Sequence, residues 1–247
     1  MFATPENQTT ADIDDGLVPL SEPWERVRQQ ALAITMEEMH KNEKAGSVPV
    51  AMKRYIRALC DPEKTIIVVN GGAGTGKTLT AALVAMLMLA QGSATSLKHT
   101  KPLVSAGGAS VGFERGSMDD KLLFWTKPVA DAAKRVVGRC GIVADLFDAY
   151  VKAFPIHRIR GISRPAGEWM LADEMQNAYS PLFTCMMTRA EKGSKVVVCG
   201  SIEQSDLPII SKRPGGMAMI VRAWKRLEEL VKGAAGEKDP LKQESAC

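Results

Sequence analysis

Gly71-Gly72-Ala73-Gly74-Thr75-Gly76-Lys77-Thr78 is the stretch that sets the fold of this chain. Its spacing, Gly-x-x-x-x-Gly-Lys-Thr, is that of a phosphate-binding loop. Just before it, TIIVV (Thr65–Val69) is a short apolar, β-branched run, read as a strand buried on both faces. Just after it, LTAALVAMLMLA carries on from Lys77 as a helix. Glycines let backbone N–H groups turn inward around a β-phosphate, and the helix N-terminus adds positive potential. The expected nucleotide contacts are therefore Gly72, Ala73, Gly74, Thr75, Gly76, Lys77, Thr78 and Leu79. Lys77 is expected to reach the β- and γ-phosphates of ATP, and the Thr78 hydroxyl to ligate Mg²⁺. A glycine-rich turn matching by chance would have no reason to lie between a strand and a helix.

Working outward, a phosphate loop needs a carboxylate at the end of a neighbouring strand to hold the magnesium's water shell. The run WMLADE (Trp169–Glu174) supplies Asp173 for that role, and Glu174 is placed to orient or deprotonate an attacking water. The alternative, a helix N-cap with a first-turn acid, is weakened by the loop upstream. A third element follows KVVVC: Gly200-Ser201-Ile202-Glu203-Gln204-Ser205-Asp206-Leu207-Pro208. Taken alone, Gln204 reads as a surface residue. In third place after the two other motifs, its amide reads as a sensor of the γ-phosphate.

The rest of the pattern is strand, loop, helix. Strands are expected at His99–Val104, Glu168–Asp173 and Lys195–Gly200, with helices near Asp119–Val137, Gly141–Val151, Pro181–Ala190 and Gly216–Lys232. Alternation of this kind implies an α/β fold, a parallel sheet sandwiched between helices. Ahead of it, residues 21–60 read as an N-terminal helical extension. Ser21 can cap a helix, Pro23 suits its first turn, and a second segment runs from Pro49 to Cys60. The core then spans 61–232, between a polar, acidic N-terminus (1–20) expected to be disordered and a flexible tail (233–247).

Together the three motifs resemble those of the PhoH family, relatives of superfamily 1 helicases. GGAGTGKT, DEMQN (Asp173–Asn177) and GSIEQSDLP (Gly200–Pro208) carry the likeness. TKPLVSAGGASVGF with RGSMDDK (Thr100–Lys121), and FPIHRIRG (Phe154–Gly161), are similar to further segments of that family, the second to one of its strands. The resemblance covers roughly Val50 to Leu227. It implies a RecA-like ATPase core, assembled as a ring of copies, a hexamer, and linked to RNA metabolism. By position, the catalytic roles would fall on Lys77, Glu174 and Gln204, and the Mg²⁺ roles on Thr78 and Asp173. Three departures stand out. Met52 occupies the place of a glutamine that reads adenine, and Ser201 the place of an aspartate. An arginine finger lying beyond the last helix in the family has no counterpart here. Arg160, Arg189 and Arg213 are possible substitutes, with Arg160 preferred because the match puts it on a strand leading towards the site.

Charge distribution points to a polyanion. The net charge is +4, yet residues 1–20 contain Glu6, Asp12, Asp14 and Asp15 and no Lys or Arg, so the remainder carries +8. RNA or single-stranded DNA is the expected partner, although Lys and Arg also solvate helix faces. The Gly-rich loop offers Lys101, Phe113, Arg115 and Lys121 for a nucleic-acid backbone and base. Phe113 could equally pin that loop to the core. Five cysteines without a CxxC pair, and no apolar run long enough to span a bilayer, suggest a reducing, cytoplasmic setting. A nucleotide-gated assembly protein with slow hydrolysis is the main alternative to a motor. A small-molecule kinase would need an acceptor pocket and an Arg-rich lid that the sequence does not display.

Overall fold

The computed structural model describes residues 20–41, 48–102, 147–159, 162–207 and 215–236, together with 127, 129–132 and 134. Phe113, Arg115, Lys121, Arg160 and Arg213 lie outside these residues, as do the acidic segment 1–19 and the tail beyond 236.

Five strands form one sheet: β1 (Ile66–Asn70), β2 (Ser96–Thr100), β3 (Val151–Ala153), β4 (Glu168–Ala172) and β5 (Lys195–Gly200). Their order is β1-β5-β4-β2-β3, and every pairing is parallel. Every residue of β4 and β5 is buried. That burial matches their near-continuous apolar sequence, as expected of strands covered on both faces. The α/β sandwich read from the sequence is what the chain adopts.

One face of the sheet is covered by α1 (Glu22–Lys41), α2 (Val50–Cys60) and α3 (Lys77–Ala90). In α3 every residue from Thr80 to Leu89 is buried. Apolar side chains all round a helix suit a central position, and α3 is packed between the sheet and the first two helices. Val27 and Ala31 of α1 and Ile56 and Leu59 of α2 close this core layer without exposure to solvent. The opposite face carries α5 (Ser180–Met187) and α6 (Gly216–Gly236), whose Phe183, Met186 and Met217 pack on Met170, Val196 and Val198. A short turn of helix, α4 (Phe147–Tyr150), leads directly into β3.

Two sequence expectations are corrected. The second strand runs over SLKHT (Ser96–Thr100) and ends where an extended HTKPLV was expected. Its polar residues are tolerated because Lys98 is paired with Glu168 of β4 at 2.5 Å. The described part of the neighbouring FPIHRIRG segment, residues 154–159, is no strand either. Strand character falls on the three residues Val151–Ala153, after which Ile156–Ile159 form a 3₁₀ turn. The described residues ahead of Arg160 thus form no strand to carry it to the site, and Arg160 itself lies outside the described residues.

β1 is an edge strand among the described residues. Beside it, Ile66, Val68, Met187, Ile220, Val221 and Trp224 line an apolar groove of about 610 Å³ under α6. Although larger than the phosphate cleft, this groove contains none of the motif residues.

Candidate nucleotide site

Because all strands are parallel, their C-terminal ends meet at one edge of the sheet, where ligands of open α/β sheets bind. With β5 lying between β1 and β4, the loop after β5 sits between the phosphate loop and the Asp173-Glu174 pair. Backbone bonds continue the ladders into the loops: Gly71 N–H donates to Gly200 O at 3.1 Å, and Asp173 N–H to Thr100 O at 2.9 Å. The resulting cleft, of about 260 Å³, is lined by Ala73, Gly74, Gly76, Lys77, Thr78, Leu79, Asp173, Glu174, Gly200, Ser201 and Gln204. Three motifs that are far apart in sequence thus share one cavity.

Gly76 precedes α3 with φ +83°, a left-handed conformation that turns the loop into the helix at little cost only for glycine. Lys77 Nζ donates to Gly71 O at 2.6 Å and Gly72 O at 2.7 Å, which holds the ammonium over the loop. Thr75 Oγ1 donates to Gly72 O at 2.9 Å. Thr78 Oγ1 donates to Asp173 Oδ1 at 2.9 Å, so the hydroxyl and the carboxylate suggested for magnesium are in contact. Burial pushes the Asp173 carboxyl above the usual range. The neighbouring Glu174 charge adds to this, while the Thr78 bond and the charge of Lys101 oppose it.

A divalent cation would offset that penalty, because it favours the ionised carboxylate. A hydroxyl and a carboxylate oxygen fit Mg²⁺, which is held by one or two protein oxygens together with water and phosphate. Thr78 and Asp173 would hold it.

Glu174 is the single described non-glycine residue with positive φ, at +54°. Such a conformation costs on the order of 1–3 kcal/mol and persists where surrounding contacts over-determine it. Here those contacts come from Gln176, which the sequence reading did not single out. Gln176 is buried, and its Nε2 donates to Glu174 Oε2 at 2.7 Å. Its Oε1 accepts the Ser201 N–H at 3.1 Å, and its backbone oxygen accepts the Ser205 hydroxyl at 3.2 Å. Asn177 and Asp206 add a reciprocal pair at 3.0 and 2.8 Å. A Cβ at Gly200 would lie 2.6 Å from Gln176 Oε1, so glycine there is a requirement of this packing.

Glu174 and the loop of Gln204 are therefore joined through one buried amide. Gln204 itself lies exposed on the 3₁₀ turn Ile202–Gln204, at the rim of the cleft. Gln176→Leu keeps approximate volume but removes the side-chain bonds to Glu174, Ser201 and the Gln204 oxygen. Hydrogen bonds to charged groups are worth about 1.5–3 kcal/mol, so turnover is expected to fall about 10- to 100-fold. Steady-state kinetics with a thermal melt would check this, with nucleotide binding retained.

Other candidate residues have different settings. Lys101, suggested for nucleic acid, stands close enough to Asp173 for its charge to lower that carboxyl's pKa. Arg189 lies in the turn between α5 and β5, at the end of the sheet opposite the cleft. Met52 contacts α3, accepting the Thr80 hydroxyl at 3.3 Å. Cys60, Cys185 and Cys199 are free thiols, and burial pushes those of Cys60 and Cys199 up to about 12. Among the described residues no helix is long and apolar enough to cross a membrane.

A parallel sheet with this loop, carboxylate pair and sensor turn defines a P-loop NTPase with a RecA-like core. More particularly, the chain belongs to the PhoH-like protein family, whose profile matches residues 48–244. It is 30% identical over 175 residues to a PhoH-like protein of Bacillus subtilis, covering 70% of this chain and 54% of that protein. It is 31% identical over 190 residues to Protein PhoH2 of the same organism, covering 73% and 42%. A PhoH-like protein of Synechocystis is 29% identical over 184 residues, covering 74% and 55%. The chain spans about half the length of these relatives. Family membership and the motifs together place the chain among P-loop NTPases.

Proposed function

We propose that this protein hydrolyses ATP with Mg²⁺ and couples turnover to remodelling of RNA or single-stranded DNA, as a ring of copies. The observation that carries the reading is the convergence of Lys77, the Thr78–Asp173 pair and Glu174 in one cleft, with Gln176 tying Glu174 to the loop of Gln204. In hydrolysis, backbone N–H groups of Gly74 to Thr78 bind the phosphates, and Lys77 neutralises charge on the β- and γ-oxygens. Thr78 and Asp173 would hold Mg²⁺, which would supply further charge neutralisation at the phosphates. Glu174 orients a water in line with the γ-phosphorus and accepts its proton. Loss of the γ-phosphate removes a contact of Gln204, and the Gln176 network passes that change to the 201–206 loop.

Ring assembly is supported by the charge inventory of the cleft. No arginine lines it among the described residues. Further cationic help at the transition state would come from a neighbouring copy, or from Arg160 or Arg213. The same observation favours a second reading, a nucleotide-gated assembly protein that turns over slowly.

Two measurements separate the readings: ATP turnover with and without single-stranded RNA and DNA, and the mass of the particle with nucleotide. The proposal expects turnover to be stimulated by nucleic acid, less so at high salt. Turnover indifferent to both nucleic acids, with assembly still following ATP, would leave the assembly reading in its place.

A further inference from the structure

Beside the phosphate loop, Tyr55 and Cys199, which do not line the cleft, take part in a contact between α2, α3 and β5 that hydrolysis as described does not use. Tyr55, on α2, is buried, and its hydroxyl donates to the backbone oxygen of Lys77 at 3.1 Å. The same hydroxyl lies 3.7 Å from Cys199 Sγ, at the end of β5. One polar contact therefore joins the N-terminal helical layer, the first residue of the P-loop helix and the strand leading to Ser201.

We propose that Tyr55 is a positioning residue for the P-loop, fixing the backbone of Lys77 and Thr78. The claim rests on the ATPase reading given above. Its physical basis is directional. Burial, reinforced by the neighbouring Cys199, raises the tyrosine pKa well above its ordinary value, and burial pushes the Cys199 thiol up to about 12. Both groups keep their protons at neutral pH. The hydroxyl proton is thus available to the Lys77 carbonyl and the thiol proton to the tyrosine oxygen, a chain whose members polarise one another.

α2 is in turn fixed at its far end. Lys195, buried at the start of β5, donates to Leu59 O and Asp61 O, each at 2.7 Å, so one carbonyl in the last turn of α2 and one just past its end are held by an ammonium. With that end tied, Tyr55 transmits the placement of α2 to Lys77. Phosphoryl transfer is sensitive to small misplacement of the groups that hold the γ-phosphate, whereas nucleotide binding sums many contacts. Loss of the hydroxyl should therefore act on kcat more than on affinity.

The test compares Tyr55→Phe with Ile56→Val in the full chain. Ile56 is fully buried on the same helix, so its variant loosens α2 packing without touching Lys77. The readouts are the thermal midpoint, the Kd for a fluorescent ADP, and kcat for Mg-ATP. A neutral hydrogen bond corresponds to a change of about 3- to 10-fold. Tyr55→Phe is expected to lower kcat by that factor with Kd changed less than twofold, while Ile56→Val lowers the midpoint and leaves kcat alone.

Three results overturn the proposal: Tyr55→Phe with wild-type kcat, a loss confined to Kd, or an equal kcat loss in Ile56→Val. Wild-type protein that binds ADP but fails to hydrolyse ATP would instead refute the ATPase reading. That failure is visible before any variant is made.

Discussion

Lys77→Ala is expected to abolish ATP turnover and to weaken nucleotide binding, while leaving the sheet intact. The ammonium is held over the loop by Gly71 O and Gly72 O, a place from which it meets the β- and γ-phosphates. Removing one preorganised donor from a site of developing negative charge costs about 10²–10³-fold in rate. Here the lost group carries a full charge as well, so the effect should lie at or above that range. Stability should change little, since Lys77 is only part-buried and its side-chain bonds are confined to the loop. Equilibrium binding of ADP and ATP, single-turnover hydrolysis and a thermal melt together check the claim. A variant that retained turnover would remove Lys77 from the chemistry.

Glu174→Gln is expected to do the opposite for binding. The amide is nearly isosteric and still accepts the Gln176 bond, so the left-handed backbone at Glu174 and the sensor loop should stay in place. What disappears is the base. General base catalysis contributes about 10²–10⁴-fold, and hydrolysis should fall by that amount. ATP should then remain bound and intact, a state that also favours any assembly requiring the triphosphate. Comparing ATP recovered from wild type and variant after a fixed incubation reads this directly.

Much of the nucleotide site was legible because its parts are written locally. GGAGTGKT between TIIVV and an apolar helix needs no long-range information, and Asp173-Glu174 after WMLA needs only the strand before it. Parallel strands then bring the pieces to one edge, as the alternation implied. What escaped reading was long-range or short. Gln176 acts on Ser201, 25 residues away, and Tyr55 on Lys77, 22 residues away, and neither spacing has a motif. β3 has three residues, too few for a periodic signal. β2 was placed late because its polar SLKHT hides a strand whose Lys98 is neutralised by Glu168, a partner 70 residues on. Over the described residues 154–159 the strand expected at FPIHRIRG gives way to a 3₁₀ turn, since resemblance located the segment but not its conformation.

The most direct test of the central claim is a single-turnover measurement on wild-type protein. ATP would be bound in excess protein without metal, Mg²⁺ added, and the ADP formed followed in time beside Glu174→Gln. Conversion of bound ATP to ADP on addition of Mg²⁺, lost in the variant, is the predicted result. ATP recovered unchanged from wild type at the rate seen in the variant would contradict the account, and would leave a nucleotide-binding fold whose carboxylate pair does no hydrolysis.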